Sequence, residues 1–361
     1  MMDMPTGQAG RAQHMQADNV TIVVPTRNRP NELARLLEFL SYEGNRFPVL
    51  ILDGSAAEVQ VANARTAATF SFVEHQAHTP DSHLGMRCAQ GVGSVATAYM
   101  VFCADDDFVF PEALAACARF LDAYPDHSSV IGNVLSLSYL KDKFLLRNGV
   151  LLGDPFRFVG YSAHAKFLQR ALYFCAYSYL GTPPLYYGLR RTSVTREAFS
   201  HMNAGMKYSS MELLSNSFAF IRGKVSVLPL VFGLRDYSCP ATREPMRDDP
   251  ETYLAKADVE HMRPALVAAL AESESLTQEL AAVYVDLYLT QWRPPDWAEP
   301  DQAVVGLTFS DKVAMALKLV LSTLAPDALA AKHHIDTRTM RSLMHSQANF
   351  VRRDALQSAH R

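Results

Sequence analysis

The chain has 361 residues, 49% of them apolar and 20% charged, which supplies a sizeable core and excludes a wholly disordered polypeptide. That length suggests two domains, or one domain with a large appendage. A formal net charge of −3 leaves no cationic excess to neutralise a phosphate backbone, which argues against a nucleic-acid partner.

Residues 1–19 are rich in Met, Gln, Gly and Asp and lack an apolar core, so they read as a disordered leader and not as a signal peptide. Thr21 to Pro25 reads as a buried strand. After Pro30, Asn31 to Ser41 carries Leu33, Leu36, Leu37 and Leu40 at helical spacing. Pro48 to Asp53 reads as a second buried strand, Ala56 to Phe70 as a helix, Ser71 to Glu74 as a short third strand and Ser82 to Thr97 as a helix. Tyr99 to Ala104 is a fourth apolar strand, and Pro111 to Tyr124 a helix with proline in its first turn. Alternation of this kind predicts a mainly parallel sheet with helices on both faces, and ligands then bind beyond the carboxyl ends of the strands.

The unusual residues fall at that rim. Pro25-Thr26-Arg27-Asn28-Arg29 follows the first strand, Asp53 ends the second, and Asp105-Asp106-Asp107 follows the fourth. Three adjacent carboxylates repel one another and rise in pKa unless a cation or a set of N–H donors offsets them. A hard ion, Mn²⁺ or Mg²⁺, bridging the acids to a substrate diphosphate would do so. The competing readings are a solvated turn for the acids, a helix cap for Asp53 and a plain polar turn for Arg27, Asn28 and Arg29.

Further along, Gly160 to Arg191 is aromatic, with Tyr161, Tyr173, Tyr177, Tyr179, Tyr186 and Tyr187, and is the candidate acceptor region. Arg190 or Arg191, at the start of another helix, is placed to read an anionic group. From Pro250 the texture becomes helical, over Glu251 to Ser273, Leu276 to Gln291, Ser310 to Leu324 and Thr337 to Ala359. The amphipathic Ser310 to Leu324 is compatible with core packing, a homodimer contact or peripheral membrane contact. Five cysteines, Cys88, Cys103, Cys117, Cys175 and Cys239, form no CxxC pair and fit free thiols in a reducing cytoplasm. No run of about 18 apolar residues is long enough to span a membrane, so the expected location is cytoplasmic, with an inner membrane face as the alternative.

TIVVPTRNRPNELARLLEFL, LILDGS and YMVFCADDDFVFPEAL together resemble the nucleotide-sugar domain of family 2 glycosyltransferases, which have the GT-A fold. The resemblance covers Thr21 to Asp126 well and extends loosely to about Tyr237. It implies an α/β GT-A domain over 20–245, with a nucleotide-sugar half at 20–140, an acceptor half at 141–245 and a helical region at 246–361. Nucleotide-sugar contacts are implied for Pro25, Thr26, Arg27, Asn28, Asp53, Arg87, Asp105, Asp106 and Arg235. A D-x-D metal site is implied at Asp105 and Asp107.

The block MELLSNSFAFIRGKVSVLPLVFGLRDYS extends the match. It places Glu212 at the position of a general base, Gly223-Lys224 at a family glycine and Val225 to Leu234 on a strand. An ordinary acid at a helix N-terminus is the other reading of Glu212. The family's metal-binding His is replaced here by Arg235-Asp236, and Asp236 is the second catalytic candidate. The implied activity is metal-dependent, inverting transfer of a sugar from a nucleotide-sugar donor to a hydroxyl acceptor, in glycan or surface polysaccharide synthesis. A nucleotidyltransferase making a nucleotide-sugar is a second reading, disfavoured because the loop after the first strand has no glycine. A noncatalytic nucleotide-sugar-binding or scaffold protein is the third.

Overall fold

The computed structural model describes residues 19–140, 143–148, 167, 185–236 and 255–289. The leader, most of the aromatic segment, Cys175, Cys239 and the expected helices Ser310 to Leu324 and Thr337 to Ala359 lie outside the described residues. In chain order the first half comprises β1 (Val20–Thr26), α1 (Pro30–Tyr42), β2 (Val49–Asp53), α2 (Ala57–Ala67), β3 (Val73–Ala77), α3 (Leu84–Ser94), β4 (Tyr99–Phe102), β5 (Phe108–Val109) and α4 (Pro111–Ala123). The second half comprises β6 (His127–Leu140), β7 (Lys143–Asn148), a 3-10 turn at Leu185–Tyr187, β8 (Leu189–Arg191), α5 (Thr192–Phe199), α6 (Tyr208–Arg222) and β9 (Lys224–Asp236). Two further helices follow, α7 (Lys256–Glu274) and α8 (Gln278–Leu289).

The strands form one sheet in the order β3-β2-β1-β4-β8-β6-β9-β5, with β7 pairing β6. As the alternation predicts, β1 runs parallel to both β2 and β4, and β2 parallel to β3. Antiparallel pairs then enter at β8 and β5, so the sheet is mixed towards its second edge. Register corrects one boundary: β3 runs from Val73 to Ala77, because those residues pair with the whole of β2, from Val49 to Asp53. The following helix is shorter than Ser82 to Thr97, starting at Leu84 and ending at Ser94.

The core forms where these periodicities meet. Ile22, Val24, Ile51 and Val101 are buried in the sheet, and Leu33, Leu36, Leu37 and Leu40 bury one face of α1 against it. Burying each such side chain contributes about 1.5–3 kcal/mol. Phe39 of α1 meets Phe108 and Phe110 edge-on, at centroid distances of 4.8 and 5.6 Å. This packing holds the turn carrying the acids, which is also tied down by the Phe110 N–H donating to the Phe232 carbonyl at 3.0 Å. Three adjacent acids are therefore fixed between α1 and β9 by apolar neighbours.

Gly223 ends α6 with an extended backbone, and its role is close approach: a Cβ there would lie 2.7 Å from the Ser128 nitrogen and 2.8 Å from the Asp126 carbonyl oxygen. Behind α6 pack α7 and α8, which match the expected helices Glu251 to Ser273 and Leu276 to Gln291 in place but begin later. The Tyr288 hydroxyl lies 3.2 Å from Ser217 Oγ, and Ser273 Oγ donates to the Ile221 carbonyl at 2.8 Å.

Candidate active site

Parallel pairing of β1 with β4 brings two loops side by side at their carboxyl ends. Thr26 Oγ1 donates to Asp105 Oδ2 at 2.7 Å, across 79 residues of sequence. Arg29 Nη1 bridges Asp105 Oδ1 at 3.0 Å and Asp106 Oδ2 at 2.8 Å, and Arg35 Nη2 donates to the Asp106 carbonyl at 2.9 Å. Even so, burial, with the neighbouring Asp106 charge, pushes the Asp105 carboxyl up to about 6 against the opposing pull of Arg29 and Thr26. The third acid, Asp107, has its Oδ2 3.6 Å from Arg235 Nε, and the Arg235 guanidinium lies 5.2 Å from the centre of the Tyr187 ring.

The other rim residues divide into those that line a cavity and those that build it. Asn28 adopts a left-handed backbone with φ of 55°, tolerable for asparagine. Its N–H donates to Ser55 Oγ at 2.8 Å, while its Oδ1 accepts from the Ala56 N–H at 2.9 Å. Asn28 thus clamps the loop after β1 to the loop after β2. Asp53 is fully buried: Oδ1 accepts from the Ser55 N–H at 2.8 Å, and Oδ2 from Asn63 at 2.8 Å and His75 Nε2 at 3.0 Å. Burial opposes its ionisation, but these donors prevail and hold its pKa down at about 2. It caps no helix, since Ala56 stands at the start of α2, and it does not line the cavity described next.

That cavity has a volume of about 560 Å³ and is bounded by Pro25, Thr26, Arg27, Arg29, Arg87 and Asp105 on the side the sequence pointed to. Arg87, on α3, is 4% exposed, donates to the Thr26 carbonyl at 2.9 Å and lies in the space a side chain at Gly54 would fill. The far wall comes from Tyr186, Tyr187 and Tyr208, and the rim from Asp81, Ser82 and His83. Arg27 reaches across to Asp81 at 2.5 Å, both side chains being largely exposed. Tyr186 and Tyr187 belong to the expected aromatic region. Asp81 and Tyr208 carry no signal in the sequence, as each sits in an unremarkable polar context.

Glu212 lies behind this wall on α6, beyond the helix's first turn, so the reading of it as an N-terminal acid does not fit. It is held by the Tyr208 hydroxyl, which shares a 2.6 Å hydrogen bond with the Tyr187 hydroxyl. Burial raises its pKa, opposed by Tyr208, Arg235 and Arg190. Tyr187 feels the charges of Glu212, Arg235 and Asp107, which places all three about one ring.

No family model and no curated protein matches the chain. Among solved structures, it is similar to residues 1–349 of S. aureus TarS, with a TM-score of 0.53 and 12% identity over 92% of this chain and 88% of that one. The same fragment in complex with UDP-GlcNAc matches with a TM-score of 0.55 and 12% identity, over 84% of this chain and 81% of that one. The chain has the GT-A fold. A weaker likeness, with a TM-score of 0.43 and 15% identity over 92% of this chain and 85% of that one, is to the mannosyltransferase PcManGT of Pyrobaculum calidifontis in complex with GDP-Man and Mn²⁺.

At this GT-A rim each of the three acids has a partner within the chain. Both oxygens of Asp105 are engaged by Thr26 and Arg29, Asp106 Oδ2 by Arg29, and Asp107 faces Arg235. Among the described residues no three His, Cys, Asp or Glu side chains form a group that could hold a metal ion by themselves. Guanidinium groups of the chain itself, Arg29 and Arg235, lie against the carboxylates where the sequence reading placed Mn²⁺ or Mg²⁺.

Two other expectations are corrected or bounded. Arg190 and Arg191 do not line the GT-A cavity: Arg190, 2% exposed, bonds to Ser215, Asn216 and the Leu185 carbonyl, and Arg191 to the carbonyls of His127, Leu121 and Tyr124. They tie β8 to its neighbours because β8 sits inside the sheet, where each donor needs a carbonyl or hydroxyl. Asp236 ends β9 in register with Leu137, and its side chain lies outside the described residues.

Proposed function

We propose that this GT-A chain is a glycosyltransferase, moving a sugar from a nucleotide-sugar donor to a hydroxyl of a carbohydrate or other acceptor with inversion. The observation that carries this reading is the cavity at the ends of β1 and β4, which joins Arg27, Arg29 and Arg87 to a tyrosine wall backed by a carboxylate of raised pKa. Its volume of about 560 Å³ suits a ligand of that size.

In this mechanism the three arginines face the donor diphosphate, and Thr26 and the Asp105 to Asp107 turn fix the loop that presents them. The acceptor oxygen attacks the anomeric carbon as the bond from that carbon to the diphosphate oxygen breaks. The acceptor proton passes to the Tyr208 hydroxyl, which lines the cavity and in turn gives its own proton to the Glu212 carboxylate it is bonded to, and the electron pair leaves with the nucleoside diphosphate, whose charge the guanidinium groups meet. A base with pKa raised towards neutrality retains more proton affinity, which favours this transfer. Tyr208, 37% exposed, is the most open of the three tyrosines towards the sugar, while Tyr186, stacked on Phe102, backs the wall.

The same reading assigns the nucleotide-sugar half to 20–140 and the acceptor half to 141–245. An acceptor in glycan or surface polysaccharide synthesis, a cytoplasmic site of action and contact with a membrane face or a second copy through 246–361 are supported by the sequence alone. Among the described residues no helix is long and apolar enough to cross a membrane. The direct test is a screen for release of nucleoside diphosphate from UDP-GlcNAc, UDP-glucose and GDP-mannose in the presence of mixed hydroxyl acceptors. Turnover of at least one donor is expected, and no turnover together with no thermal stabilisation by any of them would reject the reading.

A further inference from the structure

We infer that the cation facing the donor diphosphate beside Asp107 is the Arg235 guanidinium and not a divalent ion, an inference that rests on the proposed donor site. Arg235 is placed by register: β9 pairs with β5 through Phe108 and Leu234, so the next residue of β9 lands beside Asp107, the residue preceding β5. Its Nε lies 3.6 Å from Asp107 Oδ2 and its guanidinium packs on the Tyr187 ring. The Arg235 side chain is 30% exposed against 12% for Asp107, so of the two the cation is the more accessible to a ligand.

Charge balance points the same way. Two guanidinium groups meet the three carboxylates, Arg29 on Asp105 and Asp106 and Arg235 beside Asp107, and a third, Arg35, bonds the Asp106 backbone carbonyl. A divalent ion entering this turn would displace existing bonds and lie against three fixed positive charges, an unfavourable exchange in a buried setting. A diphosphate has the opposite requirement. It brings negative charge to a turn already neutral; Arg27, Arg29 and Arg87 stand on the cavity wall, and Arg235 stands in the adjoining cleft, which shares Phe102, Cys103 and Tyr187 with that cavity. Arginine suits this role because its planar fork donates two parallel N–H groups to a phosphate and stays ionised at any working pH.

The test uses inorganic pyrophosphate as probe on the full chain, titrated calorimetrically in EDTA and again in the presence of Mn²⁺. The inference predicts binding in EDTA that Mn²⁺ leaves unchanged within about twofold, and that Arg235→Ala weakens about tenfold. Arg235→Lys, which keeps the charge and loses the fork, is expected to fall between the two, and guards against a folding defect in the alanine variant. Binding that requires Mn²⁺, or that both Arg235 variants leave intact, would overturn the inference while leaving the donor site standing. Absence of binding under both conditions would reject the donor site itself and the inference with it.

Discussion

Replacing Glu212 by Gln is expected to lower kcat by about 10²–10⁴-fold, the usual contribution of a positioned general base, while leaving donor affinity nearly unchanged. The amide keeps the shape and can still accept from the Tyr208 hydroxyl, but it cannot take up the proton that Tyr208 passes on. The pH profile carries an independent signature. Burial raises the Glu212 pKa, so the wild-type rate should fall on acidification at a pH above the ordinary glutamate range. That limb should vanish in Glu212→Gln. The same raised pKa has a stability consequence of opposite sense. A carboxyl whose folded pKa exceeds its unfolded one contributes stability at low pH that is lost as pH rises through the folded value. Glu212→Gln should therefore be no less stable than wild type at neutral pH. Rates and a pH profile indistinguishable from wild type would remove Glu212 from the mechanism.

Arg29→Ala has the largest expected effect on stability, about 3 kcal/mol, the lower end of the range for breaking a buried ion pair. The lower end applies because the Arg29 side chain is 25% exposed, although its partner Asp105 is at 5%. Removing it leaves Asp105 and Asp106 facing each other with no bridging donor. Asp105 already has a raised pKa of about 6, and loss of Arg29 moves it further up. The cost should consequently be greatest above pH 6 and shrink as acidification protonates Asp105. Urea unfolding at pH 5 and pH 8 measures this directly, and an equal deficit at both would show that Arg29 acts through packing and not charge. Asp53 behaves oppositely: with its pKa held at about 2, its contribution is present near neutrality and lost only as pH falls from about 4 towards 2.

Some of this was legible in the sequence for definite reasons. The runs before Pro25, Asp53 and Asp105 are fully buried strands, so their apolar content announced them, and the leucine spacing of α1 fixed its buried face. Three consecutive acids at a strand end singled out a turn whose first acid, Asp105, lines the cavity. What the sequence could not show is who neutralises them. Arg29 is 76 residues from Asp105, and Arg235 reaches Asp107 only through the antiparallel register of β9 with β5. Asp53 illustrates the same gap from the other side. Its position at the end of β2 suggested a ligand contact, but Asn63 and His75, brought in by α2 and β3, take up its oxygens. Arg190 and Arg191 read as polar residues near a helix start because nothing local reveals that β8 lies between β4 and β6. Asp81 and Tyr208 became visible only once the loops enclosed a common cavity.

The central claim is that the cavity between the Pro25 to Arg29 loop and the Asp105 turn holds a nucleoside diphosphate. Calorimetric titration of UDP and of GDP into the wild-type chain, Arg27→Ala and Arg263→Ala tests it most directly, since Arg27 lines the cavity while Arg263 pairs with Asp286 on the remote helices. The account predicts that at least one nucleotide binds, that Arg27→Ala weakens it about tenfold by removing a charged phosphate contact, and that Arg263→Ala does not change it. Failure of both nucleotides to bind, or equal affinity in all three proteins, would contradict it.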